Sequence, residues 1–322
     1  MTRVERFLLI FILTFTNLYT VNAQKIIENI KSEKHFRKLT NYKDDLVWNT
    51  LAWTPDGSSI IYARRNGEVR KYDLRTEKDK VLTSFSPYEV KEIRFSATGN
   101  RIAYLIEKEI GETMIILEDF NAKEGKKNVN VIRMPYYQDI WNFILTPDEK
   151  RIIYPFLYGN EYYGIGEVNI ENKKFMEVKR FSEGLKSFGI AFNYKKDIYI
   201  LVKESHKWKF RFLLFGLSQH NLQKSIKIDL NLCVDRICDV DCEGERILFT
   251  GFFFGLLSKK YGNRTRLFEY NIKDSTIYIL TKEKEIVYLG EARYSPDCKK
   301  IAFFSDRDGF VNIWLLDLEE KK

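Results

Sequence analysis

Short apolar runs rich in Ile, Tyr and Phe alternate along the chain with clusters of Pro, Asp, Asn and Gly. The first clear instance is Trp53-Thr54-Pro55-Asp56-Gly57 followed by Ile60-Ile61-Tyr62. Turn residues placed between two β-type runs predict a hairpin. The unit returns at Phe95-Ser96-Ala97-Thr98-Gly99 with Ile102-Ala103-Tyr104, and at Leu145-Thr146-Pro147-Asp148 with Ile152-Ile153-Tyr154. It recurs last at Tyr294-Ser295-Pro296-Asp297 with Ile301-Ala302-Phe303.

Two degenerate copies stand between the third and the last. They are Phe192-Asn193-Tyr194 with Ile198-Tyr199-Ile200, and Asp241-Cys242-Glu243-Gly244 with Ile247-Leu248-Phe249. After the hairpin comes a third β run ending in Asp or Asn, as at Tyr72-Asp73, Tyr270-Asn271 and Leu316-Asp317. A fourth run often ends in Leu-Thr, as at Leu82-Thr83 and Leu280-Thr281. Six copies spaced roughly 42 to 54 residues apart have the period of a four-stranded propeller blade. The expected fold is therefore all-β, a six-bladed β-propeller. The last repeat lacks a fourth run, while Phe36-Arg37-Lys38-Leu39-Thr40 carries that signature without a blade of its own. The expectation is ring closure by this N-terminal strand.

These residues resemble the TolB-type propeller repeat, a relative of the WD repeat with a consensus near W/F-S-P-D-G-x-x-I-A-F. The resemblance covers about residues 34 to 318, and Ser305-Asp306-Arg307-Asp308-Gly309 before Ile313-Trp314 also fits it. It implies a propeller fold and leaves function open, since function is carried by sites and not by folds. TolB-like proteins carry a small α/β domain before the propeller, whereas here only about a dozen residues stand between Ala23 and Phe36. The peptidases with such propellers need a G-x-S-x-G elbow, and none occurs.

Composition changes the picture at the N-terminus. Arg3 and Arg6 precede an apolar run from Phe7 to about Val21, ending at Val21-Asn22-Ala23. That order of basic, apolar and small residues predicts a signal peptide over 1–23 and a propeller domain over 24–322, in the periplasm or secreted. The formal charge of +8 falls to +7 without residues 1–23, with 51 basic against 44 acidic side chains. Lys and Arg are interspersed with Asp and Glu throughout, so no nucleic-acid stripe is expected, and no stable membrane span remains after cleavage. The four cysteines in an oxidising compartment predict disulfides. Cys242 and Cys298 fall in the first hairpin turns of adjacent blades, and Cys233 and Cys238 flank the entry to the fifth, so the expected pairs are Cys242–Cys298 and Cys233–Cys238.

Chemistry is sparse. His35, His206 and His220 stand apart from one another, and the cysteine spacing fits no zinc arrangement. Asp239-x-Asp241-x-Glu243 lacks the closing acid of a calcium loop, since Thr250 stands there. Asp306 and Asp308 read as ligands or as turn caps. Asn263-Arg264-Thr265 is a glycosylation sequon, relevant in a eukaryotic secretory pathway. No cofactor, metal or catalytic residue is expected. Connections between second and third strands share one rim of a propeller, and several here are aromatic. The candidate binding residues are Tyr158, Tyr162 and Tyr163, then His206 and Trp208, then Phe252, Phe253, Phe254, Lys259, Lys260 and Tyr261. The run from Phe252 to Leu257 either tucks over its blade or forms an exposed patch. The leading expectation is a protein-binding or scaffold propeller of a bacterial envelope or secretion assembly. The rival is a glycan-binding or glycan-cleaving propeller using the channel mouth.

Overall fold

The computed structural model describes residues 25–29, 35–43, 46–109, 112–120, 128–135, 138–158, 162–181, 189–194, 197–206, 209–218, 221–230, 232–262, 264–281 and 289–318. Two short strands come first, β1 (Lys25–Glu28) and β2 (Phe36–Lys38). The first sheet holds β3 (Leu46–Trp53), β4 (Ser59–Arg64), β5 (Glu68–Asp73) and β6 (Asp79–Ser84). The second holds β7 (Glu89–Phe95), β8 (Arg101–Glu109), β9 (Glu112–Asp119) and β10 (Val129–Arg133). In the third, β11 (Gln138–Ile140) and β12 (Ile144–Leu145) both pair with β13 (Arg151–Tyr158), followed by β14 (Tyr162–Asn169) and β15 (Phe175–Phe181). The fourth holds β16 (Gly189–Tyr194), β17 (Asp197–His206), β18 (Lys209–Ser218) and β19 (Asn221–Leu230).

The fifth sheet is formed by β20 (Cys233–Val240), β21 (Arg246–Phe252), β22 (Arg266–Asn271) and β23 (Thr276–Ile279), with a helix, α1 (Gly255–Tyr261), between β21 and β22. Strand β1 adds to its outer edge, parallel to β23. The last sheet is β24 (Leu289–Tyr294), β25 (Lys300–Ser305) and β26 (Asn312–Asp317), completed by β2 running antiparallel to β26. The sheets are antiparallel meanders apart from β1, and the architecture is an all-β propeller.

Hydrophobic residues sort these strands into layers. Ile60, Ile61 and Tyr62 on β4 are fully buried, as are Ile152 and Ile153 on β13 and Ile301 and Ala302 on β25, because the second strand of each sheet is covered on both faces. Apolar residues on both faces are what such a central strand requires, so the strict alternation of a half-exposed strand is missing here. Side-chain clusters fill the seams between the first and second sheets, the second and third, the fourth and fifth, the fifth and sixth, and the sixth and first. The sequence expectation was a ring of six blades. The packed cores described fill five seams, and in the fourth sheet only Leu201, Ile228 and Leu230 have described side chains.

The repeated turns between first and second strands line the lower rim, and each is held by its own polar residues. Thr54 Oγ1 donates to Asp56 Oδ1 at 2.6 Å, and Asp56 Oδ1 in turn accepts the Ser58 amide at 3.0 Å. Asp148 and Asp297 accept in the same way from Thr146 and Ser295 and from the amides of Lys150 and Lys299. Successive turns also touch. A methyl group placed on Gly99, at φ +75°, would lie 2.6 Å from the Pro55 ring, so glycine lets the first and second turns nest. Thr98 Oγ1 donates to Glu149 across to the third.

Hydrogen bonds to the ionised carboxyl hold Asp56, Asp148 and Asp297 below the usual aspartate range. A folded-state value below the unfolded one stabilises the protein above about pH 4 and is lost as pH falls through the lowered value. The urea midpoint should therefore stay level from neutral pH to about pH 5 and drop below about pH 4. Asp148→Asn should flatten part of that drop. A midpoint unchanged into strong acid would show that the turn carboxylates carry no such stabilisation.

Candidate functional site

First strands line the inside of a propeller, and here they carry charge. Arg293 on β24 is buried, and its guanidinium donates to Glu92 Oε1 on β7 at 2.9 Å and to the Leu51 carbonyl on β3 at 3.4 Å. It also donates to the Cys238 carbonyl on β20 and pairs with Glu291 beside it, while Asp239 lies 3.8 Å away. Glu92 in addition faces Arg94 at 3.0 Å. One guanidinium thus joins the inner strands of the first, second, fifth and sixth sheets. Burial and the neighbouring Arg94 charge pull Arg293 below the usual arginine value, and burial raises Asp239. Among the described residues these charges pair with one another across the inner strands, which offsets the cost of burying them.

The upper rim carries the connections between second and third strands. Tyr158 and Tyr162 face each other at the end of the β13–β14 hairpin, beside Tyr163, and Tyr158 packs partly on the core between the second and third sheets. Trp141 lies below that rim, in the break between β11 and β12 on the innermost strand of the third sheet, and is 42% exposed. Phe310, in the β25–β26 connection, is 50% exposed.

The segment from Phe252 to Tyr261 divides. Phe253 is fully buried, edge-on to Phe268 with ring centres 5.3 Å apart, and leaves the candidate binding set. Burying that ring against the fifth-sheet core outweighs what an exposed aromatic could gain. Phe252 and Phe254 are half-buried, and α1 then turns Leu256 outward at 83% exposure with Lys259 and Lys260 exposed beyond it. Trp208, with the side chains of Tyr162, His206 and Tyr261, lies outside the described residues.

Cys242 and Cys298 form a disulfide between the lower turns of the fifth and sixth sheets, with Cα atoms 6.1 Å apart. The expected Cys233–Cys238 bridge is corrected, for the two are not joined by a disulfide. They lie five residues apart on one extended strand, on the order of 15 Å at the usual rise per residue. A disulfide needs Cα atoms within about 7 Å. Burial pushes the Cys238 thiol up to about 11. The calcium-like acids also separate. Asp239 faces Arg293, whereas Asp241 caps its own turn through the amides of Glu245 and Arg246 and pairs with the Arg246 side chain at 2.7 Å. Asp308 pairs with Lys38, and the backbone carbonyl of Asp306 accepts the Gly309 amide. Among the described residues no group of three or more His, Cys, Asp or Glu side chains could hold a metal ion. A cavity of about 320 Å³ lies on the lower rim between Trp53, Pro55, Asp56, Pro296, Asp297 and Lys300.

Sequence reasoning missed Trp141, Phe310 and the inner charges. The charges had a signal: Glu92-Ile93-Arg94-Phe95 and Glu291-Ala292-Arg293-Tyr294 put the same pattern at equivalent repeat positions.

No family model matches the sequence, and no curated protein matches it. Solved structures similar to it are propellers. An oligogalacturonate lyase from Vibrio parahaemolyticus shares 13% identity over 88% of this chain and 80% of the lyase, with a TM-score of 0.57. The WD40 repeats of RRP9 share 9% over 90% of this chain and 99% of theirs, at 0.54. TolB from Acinetobacter baumannii shares 14% over 84% of this chain and 63% of TolB, at 0.52. At such identities the likeness shows the fold alone, and the class it supports is the β-propeller with TolB and WD40 neighbours.

Phe253→Ala should cost about 3 to 5 kcal/mol of stability, the range for deleting a buried ring. Leu256→Ser should change it by less than about 0.5 kcal/mol. Urea unfolding of both variants tests the division, and equal effects would contradict it.

Proposed function

We propose that this is an exported, protein-binding β-propeller that serves as a scaffold in a bacterial envelope or secretion assembly. The observation that carries it is the contrast between the two parts of the molecule. The inner strands of four sheets are tied by the ion pairs around Arg293, while large apolar side chains are exposed at Leu256 and Phe310 on the upper rim and at Trp141 on the innermost strand of the third sheet. Aromatic anchors in a polar surround are what protein interfaces use. The third-sheet side, with Tyr158 and Tyr163 at the rim and Trp141 on the innermost strand below it, is the docking side in this reading, joined by Tyr162, His206 and Trp208.

The same reading takes the six sheets as six blades closed by Phe36–Lys38. Supporting it, each first strand packs on the next in the order β3, β7, β12, β16, β20, β24 and back to β3. Buried Asn312 also grips the N-terminal segment. Its Oδ1 accepts from Thr40 Oγ1 at 3.0 Å and from the Tyr42 amide at 2.8 Å. Export is supported by the basic, apolar and small order of residues 1–23 and by the disulfide at exposed Cys242, a bond suited to oxidising compartments. The glycan reading has the lyase neighbours as its pointer, and the same material tests it.

Affinity purification of the exported chain from its native envelope should recover a protein that Trp141→Ser with Tyr158→Ser loses. An anchor worth about 2 kcal/mol makes that roughly a thirtyfold loss for each. Equal recovery by the variant would overturn the rim as interface. A thermal shift with glycans and no protein recovered would favour the rival. Deleting residues 24–41 should lower the melting temperature by many degrees, and an unchanged melt would count against closure.

A further inference from the structure

Strand β1 is surplus to the pattern of the sheets. Each of the six has its four-strand meander, counting β11 and β12 as one broken inner strand and β2 as the last strand of the sixth. Among the described residues only the fifth sheet carries a strand beyond its fourth, and that strand runs parallel to its neighbour where the other described pairs are antiparallel. Its register sets Lys25 opposite Thr276, Ile26 opposite Ile277, Ile27 opposite Tyr278 and Glu28 opposite Ile279. Successive side chains of a strand point to opposite faces. Ile26 therefore shares the face of Ile277 and packs against the core between the fourth and fifth sheets. Ile27 shares the face of Tyr278, which packs against the core between the fifth and sixth. Lys25 and Glu28 are exposed, while Thr276, Ile277 and Ile279 beneath the strand are buried. The edge of β23 thus offers a row of backbone groups with one apolar seat on each face, and β1 fills both.

We propose that the outer edge of the fifth sheet is a strand-accepting site for another protein, covered in the resting chain by its own residues 25–28. The segment it takes is extended, runs parallel to β23 and sets two adjacent apolar residues between polar ones, as Lys25-Ile26-Ile27-Glu28 does. Backbone hydrogen bonds along the edge supply the attachment, and the two apolar seats supply the selection. The occupant β1 is built to be displaced. A four-residue strand whose isoleucines are only half-buried gains little beyond the cost of ordering its backbone. Without it the fifth sheet keeps the same four strands as its neighbours. The tether to β2 makes β1 a cover, because a strand held by a short link competes at high effective concentration and yields only to a better-fitting one. A second copy of this chain is the poorer occupant. Its β1 is tied to its own sixth sheet by residues 29–35, at most about 25 Å of extended chain, so two propeller flanks would have to meet. A segment of another protein has no such restriction. The inference goes beyond the protein-docking reading and is independent of it, since the site is the flank of the fifth sheet and not the third-sheet side.

A labelled peptide of residues 24–29, Gln-Lys-Ile-Ile-Glu-Asn, tests it by fluorescence anisotropy against two forms of the chain, one beginning at residue 24 and one at residue 30. The shorter form should bind the peptide, and the longer form about tenfold more weakly because its own strand competes. At a tethered concentration of about a millimolar, that ratio corresponds to a Kd near about 0.1 mM. Exchanging the order of Ile27 and Glu28 in the peptide puts both isoleucines on one face and should weaken binding about tenfold. Hydrogen exchange at the amides of residues 276–279 should slow when the peptide binds. The shorter form should melt within a few degrees of the longer. If it fails to fold, Ile26→Asp with Ile27→Asp in the longer form uncovers the edge instead and should bind the peptide equally. Absence of binding to the uncovered edge, equal affinity of the exchanged peptide, equal affinity of the two forms, or binding without protection of 276–279 would overturn the proposal. So would dimers of the longer form that the shorter form lacks, since a second copy would then be the occupant. Trp141→Ser with Tyr158→Ser should leave peptide binding unchanged, which separates this test from that of the third-sheet side.

Discussion

Arg293 sits where the inner strands of four sheets come together, and its guanidinium is what those strands share. Each of its donors meets an acceptor from a different part of the chain: Glu92, Leu51 and Cys238 lie 201, 242 and 55 residues away in sequence. A buried cation is costly unless every donor is met. Here that demand is met only when the first, second, fifth and sixth sheets stand in their places, so one polar requirement fixes the relative positions of strands that no local preference could align. The apolar seams supply most of the burial, but greasy surfaces slide on one another more readily than a fork of hydrogen bonds does.

That constraint also assigns labour to the two rims. On the lower rim the turns are self-capped and tied to one another, through Pro55 against Gly99, Thr98 to Glu149 and the Cys242–Cys298 bond. They repeat because they do the same structural task. On the upper rim the connections differ in length and content, and there Leu256 and Phe310 stay exposed.

The fold was legible in the sequence because its signals are local. A Ser/Thr-Pro-Asp-Gly turn between two apolar runs specifies a hairpin wherever it occurs, and even the degenerate copies at Phe192 and Asp241 fall in β16 and at the β20–β21 turn. The site was less legible because exposure is a tertiary property. Phe252, Phe253 and Phe254 look alike in sequence, yet the fifth-sheet core takes the middle one. Cys233 and Cys238 looked pairable by proximity in sequence, a measure that an extended strand defeats. The inner cluster could have been read from the matching Glu-x-Arg pattern of the second and sixth repeats, but a strand that is charged and yet buried runs against the usual expectation for surface charge. Trp141 had no such pattern to announce it.

The central claim, that the shared guanidinium holds the inner strands together, is tested most directly by a double-mutant cycle on Glu92 and Arg293. Glu92→Gln, Arg293→Met and the pair would be compared by urea unfolding. Each single change should cost about 3 kcal/mol, because each removes one member of a buried ion pair. The pair should cost less than the two summed, by on the order of 2 kcal/mol. Strict additivity, or an Arg293→Met protein as stable as the wild type, would contradict the account.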